Sequence, residues 1–173
     1  MYTECGIHTF PIDCFLIAKR LYYVLRPYSS LSQDEFTKAH QFDQDGFSQV
    51  ELNPDTGLLQ YVIYYNDRKN PGRVRWTIFH EIGHIYLGHH DNRDESKRII
   101  EEAEADFFAK YAIAPPPLID LAGCHDMFDV QDKFDTSLEA SSNLYNYYTK
   151  WVLYGPRRYE PFEIELLNLF GVA

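Results

Sequence analysis

An α+β fold is predicted: a small antiparallel sheet packed with helices, a central helix carrying His-Glu-x-x-His, and a mostly helical carboxy-terminal part. Three observations predict it. Two short runs rich in β-branched and aromatic residues flank one turn signal. Several longer stretches repeat apolar residues at helical spacing between capping and stop signals. The 173 residues are 45% hydrophobic and 16% aromatic, with fourteen Tyr and twelve Phe, enough bulk for an ordered core.

The elements follow in order. "PIDCFLIAKRLYYVLR" (11–26) reads as an amphipathic helix with Phe15, Ile17, Leu21, Val24 and Leu25 on one side and Pro11 near its start. Ser32-x-x-Glu35 is a capping box that opens a short helix. "GFSQVEL" and "LLQYVIYYN", within 46–66, read as two antiparallel strands joined through Asn53-Pro54-Asp55-Thr56-Gly57. The polar loop "NDRKNPG" (66–72) precedes the histidine-bearing helix. A second helix is expected over 95–113, with Ile100, Ala103, Phe107 and Tyr111 at helical spacing, and "APPP" (114–117) ends it. Residues 118–130 read as a short helix and loop. A long helix over 136–155 is capped by Thr136-x-x-Glu139 and stopped by Gly155-Pro156, and "PFEIELLNLFG" is a last short helix.

The formal net charge is −10. Such a surface repels a polyanion, and the basic stretches Lys69–Arg75 and Arg157-Arg158 are too short to reverse that, so no direct nucleic-acid binding is expected. Cys5, Cys14 and Cys124 are odd in number, widely spaced and free of any CxxC pattern. That argues against a cysteine metal site and suits a reducing compartment. The start lacks the basic-then-apolar pattern of a signal peptide, and no apolar run is long enough to cross a bilayer. A cytoplasmic protein with no membrane partner is expected.

The chemistry concentrates in "RWTIFHEIGHIYLGHH" (75–90), which holds four of the seven histidines. On a helix His80 and His84 present two imidazoles to one point, while Ile78, Ile82 and Ile85 lie on another face for burial. Two neutral imidazoles suit Zn²⁺, and a third protein ligand leaves one position for water. Glu81, on the next strip, is placed to take that water's proton for attack on a peptide carbonyl.

Two third ligands compete. His90 extends the pattern as HExxH-x5-H, but the related motif wants glycine at 87, where Leu87 stands before Gly88, and nothing around Met127 supports the methionine turn that accompanies it. The preferred reading takes Glu102 from "IIEEAEADFFAKY", with Asp106 one turn on to accept the free N–H of a ligand histidine. Small Ala103 and Ala105 let the two helices approach. Glu101 and Glu104 remain register alternatives to Glu102. His89 and His90 are then expected as exposed residues at a helix end, where positive charge is favoured. His8, His40 and His125 carry no motif.

"RWTIFHEIGHIYLGHH" followed by "EEAEADFFAKYAIAPP" resembles the ImmA/IrrE family of zinc metallopeptidases, whose pattern is roughly "tlaHElgHlllh" and then "ExEAnxFAaxlLmP". Glu102 through Ala109 match the second part, and Ala114-Pro115 stands in place of its Met-Pro. The resemblance is strongest over 73–115. It implies one zinc ion on His80, His84 and Glu102, with Glu81 as catalytic base. It also implies a metallopeptidase domain over 1–115 and a helical extension over 116–173 packed on it, where 118–155 matches a sometimes helix-turn-helix-like segment. Members occur with mobile elements and stress responses and cleave a helix-turn-helix repressor, so the implied substrate is one specific protein of that kind. The departures are the Pro115-Pro116-Pro117 run and Ala114.

Two other functions compete with this one. A non-proteolytic, metal-containing regulatory or antitoxin-like module would bind without cutting. A DNA-binding regulator would use 118–155, but "TSLEASSNLYNYYTKW" offers one Lys and no Arg for phosphate contacts. For oxyanion stabilisation His125, Tyr145 and Tyr148 are unranked candidates.

Overall fold

In the computed structural model, which describes residues 1–91 and 95–171, the run expected as one helix over 11–26 divides. After a short helix α1 (Tyr2–Cys5), helix α2 covers only Cys14–Arg20, and Val24–Pro27 forms strand β1. Tyr22 sits at φ +61°, a left-handed conformation that cannot continue a right-handed helix. The apolar residues beyond it then extend as a strand, which their β-branched and aromatic character suits.

The described residues group into two compact units, Cys14–Ala109 and Met1–Asp13 with Lys110–Ala173. In the first, helix α3 (Gln33–Phe42) opens on the expected capping box. Ser32 accepts from the Glu35 backbone N–H, and the Glu35 side chain accepts from the Ser32 N–H. Strands β2 (Gly46–Leu52) and β3 (Leu59–Tyr65) fall within the two runs of β-branched and aromatic residues expected as strands. The sheet is mixed rather than purely antiparallel. Among the described residues its order is β1-β3-β2. β2 pairs antiparallel with β3 from Gly46↔Tyr65 to Leu52↔Leu59, whereas β1 pairs parallel, from Val24↔Val62 to Pro27↔Tyr65. A parallel pairing is made through a long crossover, so no local turn announces it.

β3 is central, and its consecutive residues Val62, Ile63 and Tyr64 are all buried. Both of its faces are therefore covered. Val62 and Tyr64 join Tyr28 and Ala39 in one cluster. Helix α4 (Pro71–Tyr86) packs on β2, β3 and α2 and buries Ile78, Phe79 and Ile82 completely, each contributing about 1.5–3 kcal/mol. Gly46 admits α4 closely: a Cβ there would lie 2.6 Å from Thr77 Cγ2 and 2.5 Å from the Tyr64 carbonyl oxygen. Helix α5 (Arg98–Ile113) belongs to this unit as far as Ala109 and ends before Pro115 as expected.

In the second unit, the region expected as one short helix and loop holds two helices, α6 (Pro116–Leu121) and α7 (Met127–Phe134). Proline is well tolerated in a first helical turn, so the proline run that stops α5 also starts α6. Helices α8 (Leu138–Tyr154) and α9 (Pro161–Leu169) follow. The cap of α8 is Ser137, which accepts from Ala140 N–H, one residue beyond the expected Thr136. Phe10 lies between Phe134 and Phe170 at 4.9 and 5.1 Å, and Trp151 Nε1 donates to Glu163 across 2.9 Å. No helix among the described residues is long and apolar enough to cross a membrane.

Candidate metal centre

The site is built on α4. The Asn70 side chain accepts from Arg73 N–H and Pro71 occupies the first turn, which fixes the helix start. With Ile78, Phe79, Ile82 and Ile85 turned into the core, His80 and His84 face a groove of about 590 Å³, lined also by Ser48, Glu81, Glu102 and Asp106.

α5 supplies the opposing face. Gly83 lets it approach, since a Cβ there would meet Phe108 side-chain atoms at 3.1 Å. Ala105 and Ala109 are fully buried on α5, but Ala103 is exposed. The apolar face expected for α5 is corrected too. Ile100 and Phe107 are 59% and 50% exposed, and the buried positions are Ala105, Ala109, Ala112 and Ile113. Small residues permit close backbone approach without bulk, and counting large apolar residues misses them.

The structure brings His80, His84 and Glu102 together, with ligand atoms mutually within 4.8 Å. Nε2 of His80 and Nε2 of His84 are 3.0 Å apart, and Glu102 Oε2 lies 3.4 and 3.8 Å from them. Asp106 Oδ1 lies 3.0 Å from His80 Nδ1. Glu104 turns elsewhere, to His89 Nε2 at 3.1 Å. His90 Nε2 lies 2.9 Å from Ser48 Oγ.

Glu81 is buried on the adjacent strip, and Ser48 Oγ donates to its Oε2 across 2.6 Å. Burial pushes its carboxyl pKa up; the Ser48 hydrogen bond and His80 oppose this, while Asp43 and Glu102 reinforce it. Burial, then the neighbouring His80, His89, His90 and Arg98, drive the pKa of His84 down to about 3. A neutral imidazole is the form that binds a metal.

His89 and His90 are not exposed as expected; both are partly buried. Gly88, at φ +76°, turns the chain, and the single 3-10 turn His89–Asp91 carries both rings back to the site. His89 Nδ1 lies 2.9 Å from His84 Nδ1. The surplus of histidines was the signal for them. Ser48 carried no signal, because only the sheet register brings it to Glu81. The oxyanion candidates lie in the second unit, where Tyr145 OH donates to the His125 carbonyl and Tyr148 OH donates to Asp120 at 2.8 Å.

Two helices that present two imidazoles and a carboxylate to one point, over a mixed sheet, define a unit able to hold a single metal ion. The family comparison agrees. The profile of the Peptidase_M78 family, described as the IrrE N-terminal-like domain, matches residues 33–143, and the chain belongs to that family. It is a metallopeptidase family, and the His80–His84–Glu102 cluster is compatible with that chemistry. No curated protein sequence matches the chain.

Proposed function

We propose that this protein is a zinc-dependent endopeptidase that cuts one regulatory protein, a helix-turn-helix repressor, in the cytoplasm. The observation that carries the reading is the convergence of His80, His84 and Glu102 beside the buried carboxylate of Glu81. Ligand atoms about 2.0–2.1 Å from a tetrahedral zinc lie about 3.4 Å apart, and the observed separations of 3.0, 3.4 and 3.8 Å bracket that value. Asp106, accepting from His80 Nδ1–H, leaves Nε2 bare for the ion. Zinc held there would polarise the scissile carbonyl and acidify the attacking water.

The chain's own residues supply the rest. Glu81 takes the proton of the attacking water and returns it to the leaving amine. Its burial strengthens it as a base, and the Ser48 hydroxyl fixes one carboxylate oxygen. β2 is an edge strand whose Gly46, Phe47 and Ser48 line the groove. An extended peptide can add to that edge by main-chain hydrogen bonds and so lie across the cluster. The net charge of −10 favours encounter with a basic DNA-binding partner. The described cysteines are free and buried, which fits a reducing compartment.

The test combines metal analysis with Glu81→Gln. Protein purified without chelator should carry about one zinc per chain, the occupancy of a site with these ligands. The variant should keep the zinc and lose cleavage of a candidate helix-turn-helix repressor by about 10²–10⁴-fold. Absence of zinc, or undiminished cleavage by the variant, would overturn the proposal.

A further inference from the structure

The geometry points to His89 as a positioning residue for the metal centre: it holds the His84 ring at Nδ1 and is itself held by Glu104. This rests on the metal-site reading above. His84 turns Nε2 to the cluster and Nδ1 to His89 Nδ1, 2.9 Å away. Two ring nitrogens at that separation share one hydrogen. A ligand nitrogen must be bare, so the hydrogen of a neutral His84 sits on Nδ1 and is donated to His89. His89 Nδ1 must then be bare, and its own hydrogen sits on Nε2, 3.1 Å from Glu104 Oε2. A carboxylate only accepts, so this end of the chain is satisfied as well.

The opposite assignment fails at both ends. A hydrogen on His84 Nε2 would block the ligand position. A bare His89 Nε2 would face the carboxylate with lone pair against lone pair. Glu104 therefore selects the tautomer of His89, and His89 selects the tautomer of His84. His80 receives the same service directly from Asp106. Glu102, Glu104 and Asp106 thus stand at alternate positions of α5: Glu102 reaches the cluster, Asp106 orients His80 directly, and Glu104 orients His84 through His89. The burial agrees with this division: the His89 side chain is only 9% exposed, while Glu104 lies at the surface.

The test measures zinc affinity by competition with a chromophoric chelator at neutral pH, independently of proteolysis. His89→Ala should weaken zinc binding by about 10–100-fold. Glu104→Ala should weaken it less, and should add nothing in the His89→Ala background, because a relay is non-additive. His89→Asn places an amide oxygen where His84 Nδ1–H can donate, and should recover most of the loss. Glu104 is half-exposed, so its substitution should leave metal-free stability unchanged and carries the test even where His89→Ala unfolds. Wild-type protein that binds zinc beside a His89→Ala variant of equal affinity would overturn this inference alone, as would strict additivity of the two substitutions. Wild-type protein that binds no zinc would overturn the metal-site reading, and this inference with it.

Discussion

Helices α4 and α5 are both sixteen residues long, and they serve one site by opposite means. α4 is anchored by bulk. Ile78, Phe79 and Ile82 are completely buried, and its His80 and His84 side chains are 17% and 14% exposed. α5 is anchored by closeness. Ala105 and Ala109 are buried, Ile99 and Ile100 are exposed, and the Glu102 and Asp106 carboxylates stand half in solvent. The centre therefore has a desolvated, rigid nitrogen side and a hydrated oxygen side. Neutral imidazoles tolerate burial, whereas buried carboxylates are costly, so each group of the cluster sits where burial disfavours it least.

The contrast can be broken from the buried side first. Ile82→Ala should lower unfolding free energy by about 2–5 kcal/mol in urea denaturation, because it opens a cavity under α4. An Ile82→Ala change worth less than about 1 kcal/mol would mean that α4 is not fixed by bulk. The approach of the two helices comes next. Gly83→Val should cost about 1–3 kcal/mol through overlap with Phe108, read as a lower Tm together with weaker zinc binding.

A pH effect follows from the nitrogen side. The unfolded chain protonates His84 below about 6.5, while the folded chain resists until about 3. Unfolding thus takes up a proton in that window. The stability of metal-free protein should be fully present above it and fall as pH drops through it, by at most about 1.4 kcal/mol per pH unit from this group. His84→Gln should flatten the profile between pH 7 and pH 5; an unchanged slope would remove His84 as its source. The smallest effect belongs to the outer face of α5. Ile99 is 83% exposed, and Ile99→Ser should change stability by no more than about 0.5 kcal/mol.

How much of this was legible in the sequence depended on how local each signal was. The Ser32 capping box and the β-branched and aromatic runs of β2 and β3 act within a few residues and are legible. By contrast, α4 begins at Pro71, inside the stretch 66–72 expected as loop, because the Asn70 cap and a first-turn proline open the helix there. The convergence of His80, His84 and Glu102 was legible because helical spacing fixes the first two, and the i, i+4 pair with Asp106 marks the third. β1 was misread, since one left-handed residue, Tyr22, outweighed a continuous helical pattern. The buried face of α5 was misread because alanine carries little hydrophobic weight and much steric consequence. Ser48, His89 and His90 depend on a strand register and on a turn at Gly88, neither of which periodicity encodes.

Ser48 has a further consequence. It lies on the edge strand of the sheet among the described residues, yet its hydroxyl holds the buried Glu81 carboxylate. A substrate docked there, as proposed, would also load the strand that holds Glu81. Recognition and reactivity then share a single mechanical part, so a poorly matched sequence should suffer in turnover as well as in affinity. In the proposed peptidase, selectivity of this kind would reside in the commitment step, and such an enzyme would encounter many proteins while cutting few.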